Sequence, residues 1–203
     1  MSGPMVRAIF ADGKTQTRRV MKPQPACGCI YEMNGNGDKA VHWDGKQLFV
    51  PVRPTSASHL LPCRFGGPGD HLYVREAWRQ HYPKTEYSDG IVYRADAPKA
   101  LGMGSHSDSY KWKSPIHMPK KYARLWLEVC GVHCGRLQDI SEGGALAEGV
   151  DHVSMEDMPR QAAWSRRHDF SRIWNKLNAS TRHGWNTNPW VWIITFRRIK
   201  PAK

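Results

Sequence analysis

The alternation over residues 122–133 constrains this chain most. Ala123, Leu125, Leu127 and Val129 interleave with Arg124, Trp126, Glu128 and Cys130, and in a β-strand that spacing sends the apolar set to one face and the polar set to the other. A second strand, 190–196, is almost continuously apolar. Shorter strand-like runs lie at 71–78 and 91–95, punctuated by turns such as Gly66-Gly67-Pro68-Gly69-Asp70. Helical spacing is confined to three places. Val6, Ile9 and Phe10 mark a short helix over 6–12 that Gly13 stops, and Ser141 is the expected N-cap of a helix running to about Glu148. Over 161–178, Phe170, Ile173, Trp174 and Leu177 share one face. Many short strands with few helices predict an α+β fold, a small β-barrel decorated by helices, rather than a doubly wound sheet.

Several classes of protein are excluded or disfavoured. The longest nearly apolar run, 190–196, is far too short to span a bilayer. Residues 1–7 lack the apolar core of a signal peptide, so export is not expected. Five cysteines in 203 residues make an odd set in a chain large enough to build its own core, so a disulfide scaffold is not expected and the cytoplasm is the expected compartment. The length suits one domain over 1–203, with a loop-rich insertion at about 24–62 containing one hairpin. Cys27, Cys29 and Cys63, with His42 and His59 in the same stretch, are candidate ligands for a structural zinc. Against this, C-x-C lacks the usual two-residue spacer, and spacing does not fix a fourth ligand.

Charge is the next constraint. Thirty Lys and Arg against eighteen Asp and Glu leave +12. Residues 1–25 contribute five basic groups against Asp12, residues 160–203 ten against Asp169, and the middle fifteen against sixteen. The two ends therefore carry +4 and +9 around a segment of −1. A fold that joins its ends would present one basic surface, the footprint of a polyanion partner.

Two segments carry reactive chemistry. Gly13-Lys14-Thr15-Gln16-Thr17-Arg18-Arg19 packs an ammonium, two hydroxyls and two guanidiniums behind a helix stop. It lacks the spaced glycines of a P-loop, and Lys14 and Thr17 meet on one side only if the backbone turns between them. Glu148 follows Ala145-Leu146-Ala147 near a helix end, where partial desolvation would suit a carboxyl to proton transfer. Nine tryptophans are a strong excess; Trp112, between Lys111 and Lys113, is the one placed for base stacking rather than core.

Four segments together resemble the ASCH domain family. Residues 13–19 look like its G-x-K-T-x-T-x-R signature, with Lys14 directly after Gly13, and Gly69-Asp70 before Leu72-Tyr73-Val74-Arg75-Glu76 looks like its G-D turn. Residues 137–149 look like its helix after the strand, and Asn188-Pro189-Trp190-Val191-Trp192-Ile193-Ile194-Thr195-Phe196 its closing strand. With Lys-Ser-Pro-Ile-His-Met-Pro at 113–119, the chain is similar to longer members common in phages and prophages. The resemblance implies a PUA-like barrel whose basic cleft takes RNA or a modified nucleoside. It also implies that Lys14, Thr17 and Glu148 match the catalytic lysine, threonine and glutamate of family amidohydrolases that deacetylate N4-acetylcytidine, with no cofactor required. Arg18, Arg19, Arg75, Glu76 and Arg124 are then candidate substrate contacts, together with Trp112, His117, Met118, Asn188 and Trp190. This chain is much longer than those amidohydrolases, and other members look like RNA binders or ribonucleases. Three functions therefore follow as expectations: N4-acylcytosine amidohydrolase, non-catalytic RNA or modified-base binder, and ribonuclease.

Overall fold

A computed structural model describes residues 1–25, 42–43, 48–52, 59–80, 90–96, 111–153 and 165–200. Two long antiparallel strands organise it, β8 (Trp126–Arg136) and β9 (Trp190–Ile199). β1 (Gln16–Val20) pairs with β9 on one side and β5 (His71–Tyr73) with β8 on the other, giving the order β1-β9-β8-β5. A second sheet joins β2 (His42–Trp43), β3 (Leu48–Val52) and β4 (His59–Pro62), and β6 (Trp78–Gln80) pairs with β7 (Ile91–Tyr93). The helices are α1 (Gly3–Phe10), α2 (Glu142–Ala147), α3 (Val150–Val153) and α4 (Arg166–Asn178).

The fold is thus α+β with antiparallel sheets and a few helices. Among the described residues the strands do not close into a barrel, because β1 and β5 remain edges of an open sheet. The insertion forms three short strands where the sequence suggested one hairpin. No helix of the described residues is long and apolar enough to cross a membrane.

The apolar run of β9 follows from burial on both faces. Trp190, Trp192 and Ile194 enter one core cluster with Met21, Val129 and Val132, while Val191 joins Leu137, Ile173 and Trp174 beneath the helices. A strand covered on both sides has no polar face to alternate with. The expected alternation holds through Leu125, just ahead of β8, and Leu127 and Val129 within it, then slips. Its register shifts between Val129 and Gly131, so Cys130 is an extra residue and the buried set resumes at Val132 and Cys134.

The expected strand over 71–78 divides into β5 and β6. Between them Val74 N still donates to Leu125 O at 2.9 Å, but Glu76 turns inward to meet Arg124. α1 begins three residues before Val6 because Pro4 sits in its first turn, where the missing N–H costs nothing. α4 begins at Arg166, where Ser165 is extended and its hydroxyl accepts from His168 N, which caps the helix; residues 161–164 of the expected helix lie outside the described residues.

Candidate functional site

The signature segment is held from three sides. Asp12 adopts φ 53° after α1, and Gly13 N and Lys14 N both donate to Ala8 O. Thr15 N donates to Ala147 O at the end of α2, and Phe196 N of β9 donates to Thr15 O, both at 2.9 Å. The chain therefore turns before β1 begins at Gln16. That meets the condition read from the sequence, since Lys14 and Thr17 line one cavity.

Glu148 is delivered by the end of α2. Ser141 starts this helix by accepting from Gly144 N, and Glu148 N closes it on Gly144 O at 3.1 Å. Gly149 then takes φ +81°, a conformation that favours glycine. A Cβ there would also stand 3.0 Å from Lys14 Cβ and 3.1 Å from Ala8 Cβ. Glycine is required twice over, by backbone angle and by close packing against the lysine.

Lys14, Glu148 and Arg18 are all buried, at 3%, 4% and 8% exposure. Lys14 Nζ donates to Glu148 Oε2 at 2.7 Å, to Glu148 O at 2.7 Å and to Gln16 O at 2.8 Å. Arg18 Nη1 donates to Gln16 Oε1 at 2.8 Å and to Glu148 Oε1 at 3.3 Å. Burial pulls the pKa of Lys14 below the ordinary lysine value and the charge and hydrogen bond of Glu148 push it back up, with burial the larger effect. Arg18 is lowered for the same reason. One carboxylate thus serves two buried cations, leaving the cluster with an excess of positive charge. Arg18 Nε is buried with no hydrogen-bond partner among the described residues.

Above the cluster lies a cavity of about 230 Å³. Lys14, Thr17, Arg18 and Glu148 form its polar side, and Phe170, Ile173 and Trp174 of α4 its apolar side. Thr17 is half-buried and lines this cavity. The Arg18 guanidinium lies 5.9 Å from the Phe170 ring centroid. A flat heteroaromatic group with a polar edge suits such a space: its face meets the aromatic wall while its edge reaches fixed donors and a carboxylate. The coupled Lys–Glu pair can also exchange a proton over one short contact.

The remaining candidates lie elsewhere, apart from Arg19, which is exposed on the cavity rim. Arg124 grips buried Glu76 through Nε and Nη2 at 2.9 and 2.8 Å, also binds Asp96, and stacks 4.0 Å from the Tyr93 ring. Burial opposes its charge, but the two carboxylates outweigh that and raise its pKa. Met118 is core, its sulfur accepting from Glu76 N. Arg75 is exposed and bonds Ile116 O and the Tyr73 hydroxyl, His117 is exposed, and half-buried Trp112 stacks on Arg79 at 4.9 Å. Asn188 takes φ 42° ahead of β9, its Oδ1 accepting from Gln138 N, and Trp190 is buried in the core. The structure does not bring these residues to the cavity.

Two contributors carried no functional signal in the sequence. Gln16 supplies acceptors to both cations, yet nothing distinguishes it within the Thr-rich run. The apolar face of α4 was legible as a core-facing stripe but not as a cavity wall, because periodicity is blind to where packing stops short.

For zinc, Cys27 and Cys29 lie outside the described residues, and of His42 and His59 only the backbone is described. Cys63 is a free thiol in the core beside Cys134, and burial pushes its pKa up, away from the thiolate that zinc takes. Among the described residues no group of three or more His, Cys, Asp or Glu could hold a metal ion. Comparison of the chain with family models, curated proteins and solved structures finds no match.

Proposed function

We propose that this protein is a PUA-like ASCH-type amidohydrolase that removes an acyl group from the exocyclic amine of N4-acylated cytosine nucleosides. The observation that carries the reading is the 2.7 Å contact between two buried side chains, Lys14 Nζ and Glu148 Oε2, below a cavity that Thr17 also lines. The resemblance of residues 13–19, 69–76, 137–149 and 188–196 to that family supports it.

The chemistry begins from the ion pair. Lys14 passes a proton to Glu148, leaving a neutral amine and a carboxylic acid, an exchange favoured by the burial that lowers Lys14. The amine takes the proton of the Thr17 hydroxyl, or of a water that Thr17 orients, and the freed oxygen attacks the acyl carbonyl. Arg18 sits within the same cluster to stabilise the tetrahedral oxyanion. Collapse breaks the carbon–nitrogen bond, and the Glu148 proton goes to the departing amine. If Thr17 is the nucleophile, the acyl-threonine is then hydrolysed by water activated by the same pair.

The direct test is incubation with N4-acetylcytidine followed by mass spectrometry, in parallel with Lys14→Ala, Glu148→Gln and Thr17→Val. Cytidine formed by the wild type and lost in the Lys14 and Glu148 variants is the expected result. An acyl adduct on the peptide bearing Thr17 identifies direct attack, and its absence during turnover identifies water. A wild type that releases no cytidine overturns the reading.

One observation favours a second reading. Three acceptors around Lys14 Nζ satisfy all three N–H groups of an ammonium, the arrangement of a purely structural ion pair. In that case the cavity only holds a modified base or RNA, and ligand binding without turnover is the result that selects it.

A further inference from the structure

We infer that the substrate carries a phosphate, held in a second cavity beside the first, so that the protein acts on an acylated cytosine within a nucleotide or RNA strand rather than on a free nucleoside. This rests on the reading above and specifies its substrate. The second cavity has a volume of about 450 Å³ and shares Arg19, Val20 and Asn178 with the first, so the two adjoin along the edge strand β1. Its other polar residues are Lys22, Arg64, Thr181 and His183, and among the described residues no Asp or Glu lines it.

Three features point to phosphate. Arg19, Lys22 and Arg64 are exposed, and none has an ion-pair partner among the described residues, unlike Arg124, Arg166, Arg197 and Arg198, which all face carboxylates. Like charges are left together without an anion where an anionic ligand supplies the balance. Asn178, whose Nδ2 keeps one N–H beyond the bond it gives to Trp174 O, adds a neutral donor of the kind that contacts phosphate oxygens beside Arg and Lys. Arg19 lines both spaces, so a base in the first cavity and its own phosphate in the second meet at one side chain. An uncharged nucleoside would leave all these groups unused.

The experiment compares wild type with Lys22→Ala/Arg64→Ala, both substitutions being on the surface and outside the proposed catalytic cluster. Binding of a fluorescein-labelled RNA of about 12 nucleotides, bearing one N4-acetylcytidine, is followed by anisotropy over a series of salt concentrations. The slope of log Kd against log salt is expected to fall by about 0.7 for each cation removed, about 1.4 in the double variant. Turnover is measured on N4-acetylcytidine, its 3′- and 5′-monophosphates and the same RNA. The wild type is expected to favour phosphorylated substrates by about tenfold or more in kcat/KM. The variant should lose that preference while hydrolysing the nucleoside as before. A preference already present with a monophosphate identifies a single phosphate as the ligand, and one seen only with RNA identifies the strand.

An unchanged salt slope in the variant overturns the inference, as does equal turnover of nucleoside and phosphorylated forms. If nothing is hydrolysed, the amidohydrolase reading fails by itself. The salt slope still decides whether the second cavity takes phosphate.

Discussion

Replacing Glu148 with glutamine tests the central cluster through stability, without reference to any substrate. The change keeps the side-chain shape but leaves Lys14 and Arg18, 3% and 8% exposed, with no anion between them. Breaking a buried ion pair by neutralising one partner costs roughly 3–5 kcal/mol. At roughly 2–4 °C per kcal/mol for a chain of this size, the melting temperature should fall by about 6–20 °C.

The loss also has a pH signature. Lys14 has a folded pKa below its unfolded value, so within that window the unfolded chain binds more protons and stability rises with pH. Glutamine removes the charge and the hydrogen bond that push Lys14 upward, so the window opens at lower pH in the variant. The stability gap is therefore largest while Lys14 is protonated in both proteins. It narrows with rising pH until the wild-type lysine has lost its proton as well. Thermal melts across that range, with Lys14→Met/Glu148→Leu as a control expected to recover much of the loss, measure both effects. A loss under about 1 kcal/mol, or a gap independent of pH, refutes the account of a buried pair that burial strains toward neutrality.

Three further outcomes follow from the geometry. Gly149→Ala forces a Cβ onto φ +81° and to 3.0 Å from Lys14 Cβ, so urea unfolding should show a loss of about 2–4 kcal/mol together with displacement of the lysine. Arg124→Ala leaves Glu76 buried without its guanidinium and should cost roughly 3 kcal/mol in urea unfolding, partly restored by adding Glu76→Gln. Ser141→Ala removes the α2 cap that accepts from Gly144 N and should cost about 1 kcal/mol by thermal melt.

Much of the site was legible because its signals are local. A helix stop followed by Lys14 and Thr17, and a capped helix ending at Glu148, are short-range patterns, and the fold brings both to one cavity. The burial of Arg18 was not legible, because β1 lies at the edge of its sheet and the arginine is covered by α2 and α4 rather than by strand neighbours. Arg124 and Glu76 misled in the opposite direction. As charged residues near the expected cleft they suggest ligand contacts, whereas in the structure they satisfy each other across the chain. The Cys130 bulge shows in the sequence only as a change of phase, the buried set passing from Val129 to Val132, which the alternation over 123–129 does not foretell. The second cavity is assembled from residues 19–22, 64–65, 178–183 and 192, and only the charge excess at the two ends hinted at it.

The pairing of β1 with β9 bears on how the protein is made. Gln16 lies opposite Thr195 and Thr15 O accepts from Phe196 N, contacts spanning nearly the whole chain. Such distant pairings raise contact order and delay folding until both partners exist. On the ribosome the segment holding Lys14 and Thr17 emerges well before β9 and waits, its strand unpaired, until β9 is synthesised. Lys14 meets Glu148 in a settled pocket only after β9 has left the exit tunnel. A nascent or C-terminally shortened chain therefore lacks the assembled site, and proteolysis that trims β9 would dismantle it from the far end of the sequence.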